Sequence, residues 1–260
     1  IIIIIWMNFI DTHAHIYFNE FEEDIDSVIN NSLENQVNKI LMPNINSSSI
    51  NKLYQISDLY KNICYPMLGL HPCYVNEDYE NELKKIKNYF NKQIIAIGEI
   101  GIDLYREKKF FKQQLDAFEI QCYWALENGL PVVIHTRNSL KETIKIVSQP
   151  EFKDLKGIFH CFDGCYKDAI KLVDLGFLLG IGGILTFKNS NLPNTIDKIG
   201  IEKLVLETDS PYLSPEPYRG KRNEPANILY IAEMLEKITT FPLTKISQAT
   251  TKNAIELFDL

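Results

Sequence analysis

Eight short runs of apolar, β-branched residues recur along the 260-residue chain, at 4–10, 37–42, 64–69, 94–98, 131–134, 157–159, 177–181 and 203–206. Between them apolar residues return at helical spacing, at 21–36, 47–60, 80–91, 108–128, 140–147, 167–175 and 192–199, with 227–237 and 248–258 after the last run. Parallel strands need a crossover to reach their neighbours, and helices supply it. Strand then helix, eight times over, predicts one α/β domain over residues 1–260, a (β/α)8 TIM barrel, with a doubly wound open sheet as the structural alternative. A hydrophobic content of 45% suits one large core, and no low-complexity stretch or short repeat interrupts the pattern.

The residues that end each run narrow the chemistry. The first run closes in Asp11-Thr12-His13-Ala14-His15, the third in Gly69-Leu70-His71-Pro72 and the fourth in Gly98-Glu99. The fifth closes in His135-Thr136-Arg137, the sixth in His160-Cys161 and the eighth in Glu207-Thr208-Asp209. All 5 histidines therefore fall at the carboxyl ends of expected strands, and in a barrel those ends converge on the face where sites are built.

His13 and His15 are two apart on a strand, so their rings leave the same face and can share one ion at about 2.1 Å. Glu99, His135, His160 and Asp209 add nitrogen and oxygen donors from four other strands, enough for two divalent ions with Glu99 placed to bridge them. Ionised carboxylates are seldom buried without a partner, which strengthens the case for Glu99 and Asp209. His71, fixed by Pro72, is expected outside the immediate ligands, bonding a loop carbonyl or touching substrate. Asp11 shares the histidines' face and is expected to orient one of them or to pack beneath the site. Arg137, and Arg219, Lys221 and Arg222 in the loop beyond the eighth strand, are candidate phosphate contacts.

The remaining features set the context. The net charge of −7 disfavours a long electrostatic footprint on nucleic acid, yet bound cations would invert the field in a small cleft. Cysteines 64, 73, 122, 161 and 165 form no CxxC pair and no staple framework, so reduced thiols and a cytoplasmic setting are expected. Ile1 to Ile5 with Trp6 is too short to span a bilayer and lacks a signal peptide's basic region and cleavage site. It reads as part of the first buried strand, with Met7 as an alternative start that would make residues 1–6 non-native. No membrane association and a monomer are expected.

In order and interval, these motifs together with Gly98-Glu99-Ile100-Gly101-Ile102-Asp103, Glu207-Thr208-Asp209-Ser210-Pro211-Tyr212-Leu213, the segment 218–225 and Asn253-Ala254 resemble the TatD-type metal-dependent deoxyribonucleases, of the amidohydrolase-like metal-barrel group. The resemblance spans nearly the whole chain. It implies metal-dependent removal of nucleotides from DNA 3′ ends, with two divalent ions, Mg²⁺ foremost and Zn²⁺ or Mn²⁺ as alternatives, and single-stranded DNA, or RNA in its place, as partner. Asn138 stands where the family often has Asp and can still cap the following helix, and Asp163 stands where Ser often follows His-Cys-Phe, adding negative charge near the phosphate contacts. The expected mechanism is in-line attack on phosphorus by water or hydroxide held at the ions, with Asp209 as ligand and proton acceptor.

Rival activities on the same scaffold are hydrolysis of a lactone, a cyclic amide, a phosphotriester or an aminoacyl-tRNA ester. Glu99, where many barrels of the wider group carry a carboxylated Lys, favours the nuclease branch. A histidinol-phosphatase-like phosphomonoesterase would begin His-x-Asp-x-His, and a non-catalytic metal scaffold would lack a ligand, whereas all six are present.

Overall fold

The computed structural model describes residues 7–90, 93–106 and 108–260, so residues 1–6 and the last residue of the expected helix 80–91 lie outside the described residues. All eight expected strands form: β1 (Phe9–Asp11), β2 (Val37–Pro43), β3 (Cys64–Met67), β4 (Ile97–Asp103), β5 (Val132–Arg137), β6 (Gly157–Phe159), β7 (Leu178–Ile181) and β8 (Leu204–Leu206). The helices are α1 (Ile25–Glu34), α2 (Ile50–Leu59), α3 (Tyr79–Lys87), α4 (Phe111–Asn128), α5 (Leu140–Val147), α6 (Tyr166–Asp174), α7 (Leu192–Ile199), α8 (Ile228–Thr239) and α9 (Leu243–Phe258). Among the described residues no helix is long and apolar enough to cross a membrane.

Ladders run in the orders β1-β2-β3 and β4-β5-β6-β7-β8, all parallel. Two seams join them. At one, Gly98 N donates to Leu68 O at 2.9 Å; at the other, Thr12 N donates to Leu206 O at 3.0 Å and Asp209 N to His13 O at 2.8 Å. The sheet thus closes on itself as a TIM barrel, and the open-sheet alternative falls away.

Two apolar layers arise from strand alternation. Val132 and Ile134 face the helices, in one cluster with Phe118, Phe159 and Leu206, while Val133, Ile158 and Val205 fill the barrel interior with Ile10, Leu41 and Met67. Ala254 and Phe258 of α9 join that interior cluster and close its lower end. Val133, Ile158 and Val205 stand two residues before His135, His160 and Glu207, so the period of two lifts those three side chains onto the inner face above the plug.

β4 departs most from expectation: it starts later than 94 and runs on to Asp103, and β5 extends to Arg137, so Glu99 and His135 belong to strands. Glycines at 98 and 101 weaken the strand signal but answer to crowding, since a Cβ on Gly101 would come within 2.1 Å of His135 O. The β4–β5 register also slips between Gly98 and Ile100. Ile97 and Ile100, three apart, both pack toward the helices, which strict alternation forbids. The extra residue is Glu99, and the bulge turns its carboxylate inward. At the end of β5, Ser139 rather than Asn138 occupies the position before α5, while Asn138 sits at a φ of 55°. Ser139 Oγ accepts from Arg137 N at 3.1 Å and donates to Ile102 O, tying the two strand ends together.

Removing the plug ring should test how far the barrel depends on its lower core. Phe258→Ala is expected to lower the unfolding free energy by about 3 kcal/mol in a urea titration; a loss within error of zero would show that α9 merely lies against the barrel.

Candidate metal centre

The five histidines and the carboxylates of Glu99 and Asp209 converge inside the barrel mouth, with Glu99 as hub. Its Oε2 lies 3.2 Å from His13 Nε2 and 3.5 Å from His15 Nε2. Its Oε1 lies 2.9 Å from His135 Nδ1, 3.1 Å from His160 Nε2 and 3.3 Å from His71 Nε2. Asp209 Oδ1 completes the first group at 3.7 Å and 3.6 Å from the Nε2 atoms of His13 and His15. Three sets of ligand atoms each fall within 4.8 Å of one another: His13, His15 and Asp209; His71, Glu99 and His135; and His13, His160 and Glu207.

Hydrogen bonding fixes the ring of His15. The Tyr17 hydroxyl donates its one proton to Pro43 O at 2.8 Å, so its oxygen accepts from His15 Nδ1 at 3.1 Å. Nε2 of His15 is then the nitrogen left with a lone pair, and it stands 3.3 Å from His13 Nε2. Lone pairs so close repel unless a proton or a cation lies between them. His13 Nδ1 is buried with no hydrogen-bond partner among the described residues, so that ring's polar contacts fall on the same Nε2. Facing imidazole nitrogens, flanked by carboxylate oxygens in a buried pocket, fit a divalent cation by the chemistry of their donors.

The electrostatics agree with this. Burial alone would raise the Glu99 pKa, but electrostatic interaction with the facing imidazoles of His71, His13 and His160 holds it well below the usual carboxylate range. Burial would lower that of His15, yet its bonds to Asp209 and Glu99 outweigh this and push it up to about 9. Left to protons, the cluster charges His15, His135 and His160 to satisfy its carboxylates, while burial brings His13 and His71 below the usual imidazole range. A divalent cation offers those carboxylates the same compensation at a single point and displaces the protons.

Two residues of the site were not among those expected from the sequence. Asp103 Oδ2 lies 3.1 Å from His135 Nε2, and Glu207 Oε1 lies 3.3 Å from His160 Nδ1, both carboxylates being buried. Each was legible as the same-face partner, two residues off along the strand, of a residue inside the barrel: Gly101 for Asp103 and Asp209 for Glu207. Space for Glu207 comes from its neighbour on β7, since a Cβ on Gly180 would meet Glu207 Oε2 at 2.3 Å. His71, expected outside the immediate ligands, is drawn in against Glu99. Asp11 touches no histidine ring. Its Oδ1 accepts from His13 N at 3.2 Å and Thr208 N at 3.0 Å, and its Oδ2 from Thr208 Oγ1 at 2.5 Å, so it packs beneath the site and ties the first strand's tip to the eighth's.

The cations divide. Arg137 lies over the Tyr105 ring at 3.9 Å, Arg219 over Phe187 at 3.6 Å and Lys221 over Tyr218 at 5.5 Å, all at the surface. Arg222 corrects an expectation: it forks onto Asp24 at 2.9 Å and 2.6 Å, reaches Glu224 at 2.9 Å and covers the Phe21 ring. With two carboxylates in place it is a clasp between the loops after β1 and β8, not an open phosphate contact. Asn223 beside it donates to Thr208 O at 2.8 Å and Tyr212 O at 2.7 Å, anchoring the Asp209 loop.

Loss of the Tyr17 hydroxyl should free the His15 ring without opening the core. Tyr17→Phe is expected to weaken divalent-metal binding about tenfold in a competition titration with a chelator; unchanged affinity would show that the hydroxyl does not set the ring.

The known proteins that this chain is similar to point to metal-dependent hydrolysis. Residues 10–259 match the family model described as TatD related DNase. An uncharacterized metal-dependent hydrolase of Buchnera aphidicola is 38% identical, covering 98% of this chain and 100% of its own, and the metal-dependent hydrolase YabD of Bacillus subtilis is 33% identical over 95% and 98%. The crystal structure of the TatD homologue YjjV from Escherichia coli superposes with a TM-score of 0.91 at 26% identity, over 97% and 98% of the two chains. The chain belongs to the TatD-related DNase family and is a metal-dependent hydrolase.

Proposed function

We propose that the protein hydrolyses phosphodiester bonds of DNA, shortening single strands from their 3′ ends, with two divalent cations held by His13, His15, Glu99, His135, His160 and Asp209. The observation that carries this is the division of labour at Glu99: Oε2 faces His13 and His15, while Oε1 faces His71, His135 and His160. One carboxylate presented to two imidazole sets would help to hold two ions, one with each set. Bound there, the cations supply charge stabilisation for the phosphoryl oxygens and a nucleophile from water at neutral pH.

The protein's own groups divide the remaining work. Asp209, with its side chain 16% exposed against 3% for Glu99, is the carboxylate that water reaches. Burial would raise its pKa, but the polar contact with His15 and electrostatic interaction with His160 and His13 bring it below the usual carboxylate range, so it stays ionised to orient a water and take its proton. His71 borders the second group with its side chain 13% exposed and contacts a phosphate oxygen. Arg137, Arg219 and Lys221 hold phosphates without reading sequence. A DNA end suits this narrow cationic rim on an acidic protein better than a long duplex footprint does. The imidazole-rich set suits Zn²⁺ or Mn²⁺, and the carboxylates suit Mg²⁺, so the ion in use is read by restoring each in turn.

Two experiments test the proposal. Metal-stripped protein given Mg²⁺, Mn²⁺ or Zn²⁺ should shorten end-labelled single-stranded DNA from its 3′ end, and Glu99→Ala and Asp209→Asn should each lose at least about a thousandfold in kcat while keeping a native circular dichroism spectrum. Absence of cleavage with every metal, or near-normal turnover of Asp209→Asn, would sink it. Separately, Arg219→Ala with Lys221→Ala should raise KM for DNA and flatten its salt dependence, with kcat little changed; an unaltered salt slope would remove that loop from the substrate path.

A further inference from the structure

Three exposed tyrosines, Tyr74, Tyr105 and Tyr212, stand in the loops that come after β3, β4 and β8. Large aromatic rings gain little from facing water, and while Arg137 covers Tyr105, Tyr74 and Tyr212 keep surface open at the mouth. Beside Tyr74 opens a cavity of about 690 Å³, lined among others by Tyr17, Phe18, Asn46, Ser48, Lys52 and Tyr74.

The cavity adjoins the metal centre. Phe18 stacks on His15 with ring centroids 4.9 Å apart and planes 10° from parallel, and Tyr74 stands edge-on to His71 at 6.2 Å. Tyr212 meets Phe18 edge-on at 6.4 Å. A group covalently attached to a phosphate at the metals can reach these rings within one nucleotide's length.

Charge selects what that group is. Lys52 lines the cavity, but it is bridged to Glu22 at 3.1 Å and donates to Asn19 Oδ1 at 2.8 Å, and Glu20 lines the cavity too. With its cation neutralised and a carboxylate added, the cavity repels a second phosphate. Aromatic walls with amide and hydroxyl groups at the edge suit a neutral, flat ring with polar edges.

We propose that this cavity, with Phe18 and Tyr74 as its aromatic walls, is a nucleobase subsite that holds the base of a nucleotide adjoining the scissile phosphate. It rests on the DNA hydrolysis proposed above and gives it a substrate determinant: the base is gripped by stacking, which every base allows, so cleavage requires a base but no particular one. Tyr74 is a substrate-contacting residue here, while Phe18 also steadies the His15 ring.

The test uses the metal-loaded full chain and oligothymidylates carrying an abasic residue at either the 3′-terminal or the penultimate position. At one of the two positions, loss of the base should lower kcat/KM about tenfold, mainly through KM. Tyr74→Ala should lower cleavage of the intact oligomer by a similar factor, Tyr74→Phe by less than twofold, and Tyr74→Ala on the abasic oligomer should add less than a further twofold. Losses that multiply, a Tyr74→Phe variant as impaired as Tyr74→Ala, or indifference to base removal at both positions would overturn the subsite alone. No cleavage of any oligomer by the unsubstituted protein would instead overturn the DNA reading, and the subsite with it.

Discussion

One buried carboxylate among five imidazoles is the constraint on which the rest of this structure depends. Glu99 is 2% exposed, and an ionised carboxyl in such a place is tolerated only where positive charge surrounds it. His15, His135 and His160, each held above the usual imidazole range, provide that charge only from strand ends that point at one another, which a closed parallel barrel arranges and an open sheet does not. Burial, closure and the clustering of nitrogen donors are therefore three aspects of one electrostatic requirement, and a bound divalent cation meets it with less dependence on protonation than imidazolium does.

The supports of the cluster are spread over the whole ring of loops. Tyr17 aims His15 by way of the end of β2; Asp11 binds the tip of β1 to that of β8; Asn223 and Arg222 hold the Asp209 loop against the first turn of the chain. None of these residues would bind metal. Each removes a freedom that a metal-binding or proton-accepting side chain would otherwise have, which is how a site made of six separate strand ends acquires one geometry.

Much of this was legible in the sequence, for identifiable reasons. Strands such as 157–159 and 203–206 declare themselves because branched apolar residues on both faces are buried, between the helices and the plug. The histidines mark the strand ends because so few positions in such a chain bring them together. What stayed hidden depends on departures from regularity. The length of β4 is masked by glycines that serve close packing, and the inward turn of Glu99 depends on a slip in register that no period reveals. Arg222 reads as a phosphate contact because the sequence shows a basic cluster and says nothing of Asp24, almost two hundred positions away, folding back against it. Asp103 and Glu207 were within reach of simple alternation, since each shares the inner face with a neighbour two residues off.

The slip in β4 makes that strand sensitive to number rather than to kind. Below Glu99 the strand keeps one phase and above it the opposite phase, so Ile100 and Ile102 face the helices while Gly101 and Asp103 face the barrel axis. Deleting a single residue between Ile97 and Ile100 would restore perfect alternation with Ile100 and Ile102 still toward the helices and Gly101 and Asp103 still toward the axis; what it would remove is the bulge that turns the Glu99 carboxylate inward. A change of side chain at these positions adjusts the chamber, whereas a change of length removes the kink from which its central carboxylate projects. In this family member the count of residues along one strand is as much a part of the chemistry as the histidines it confronts.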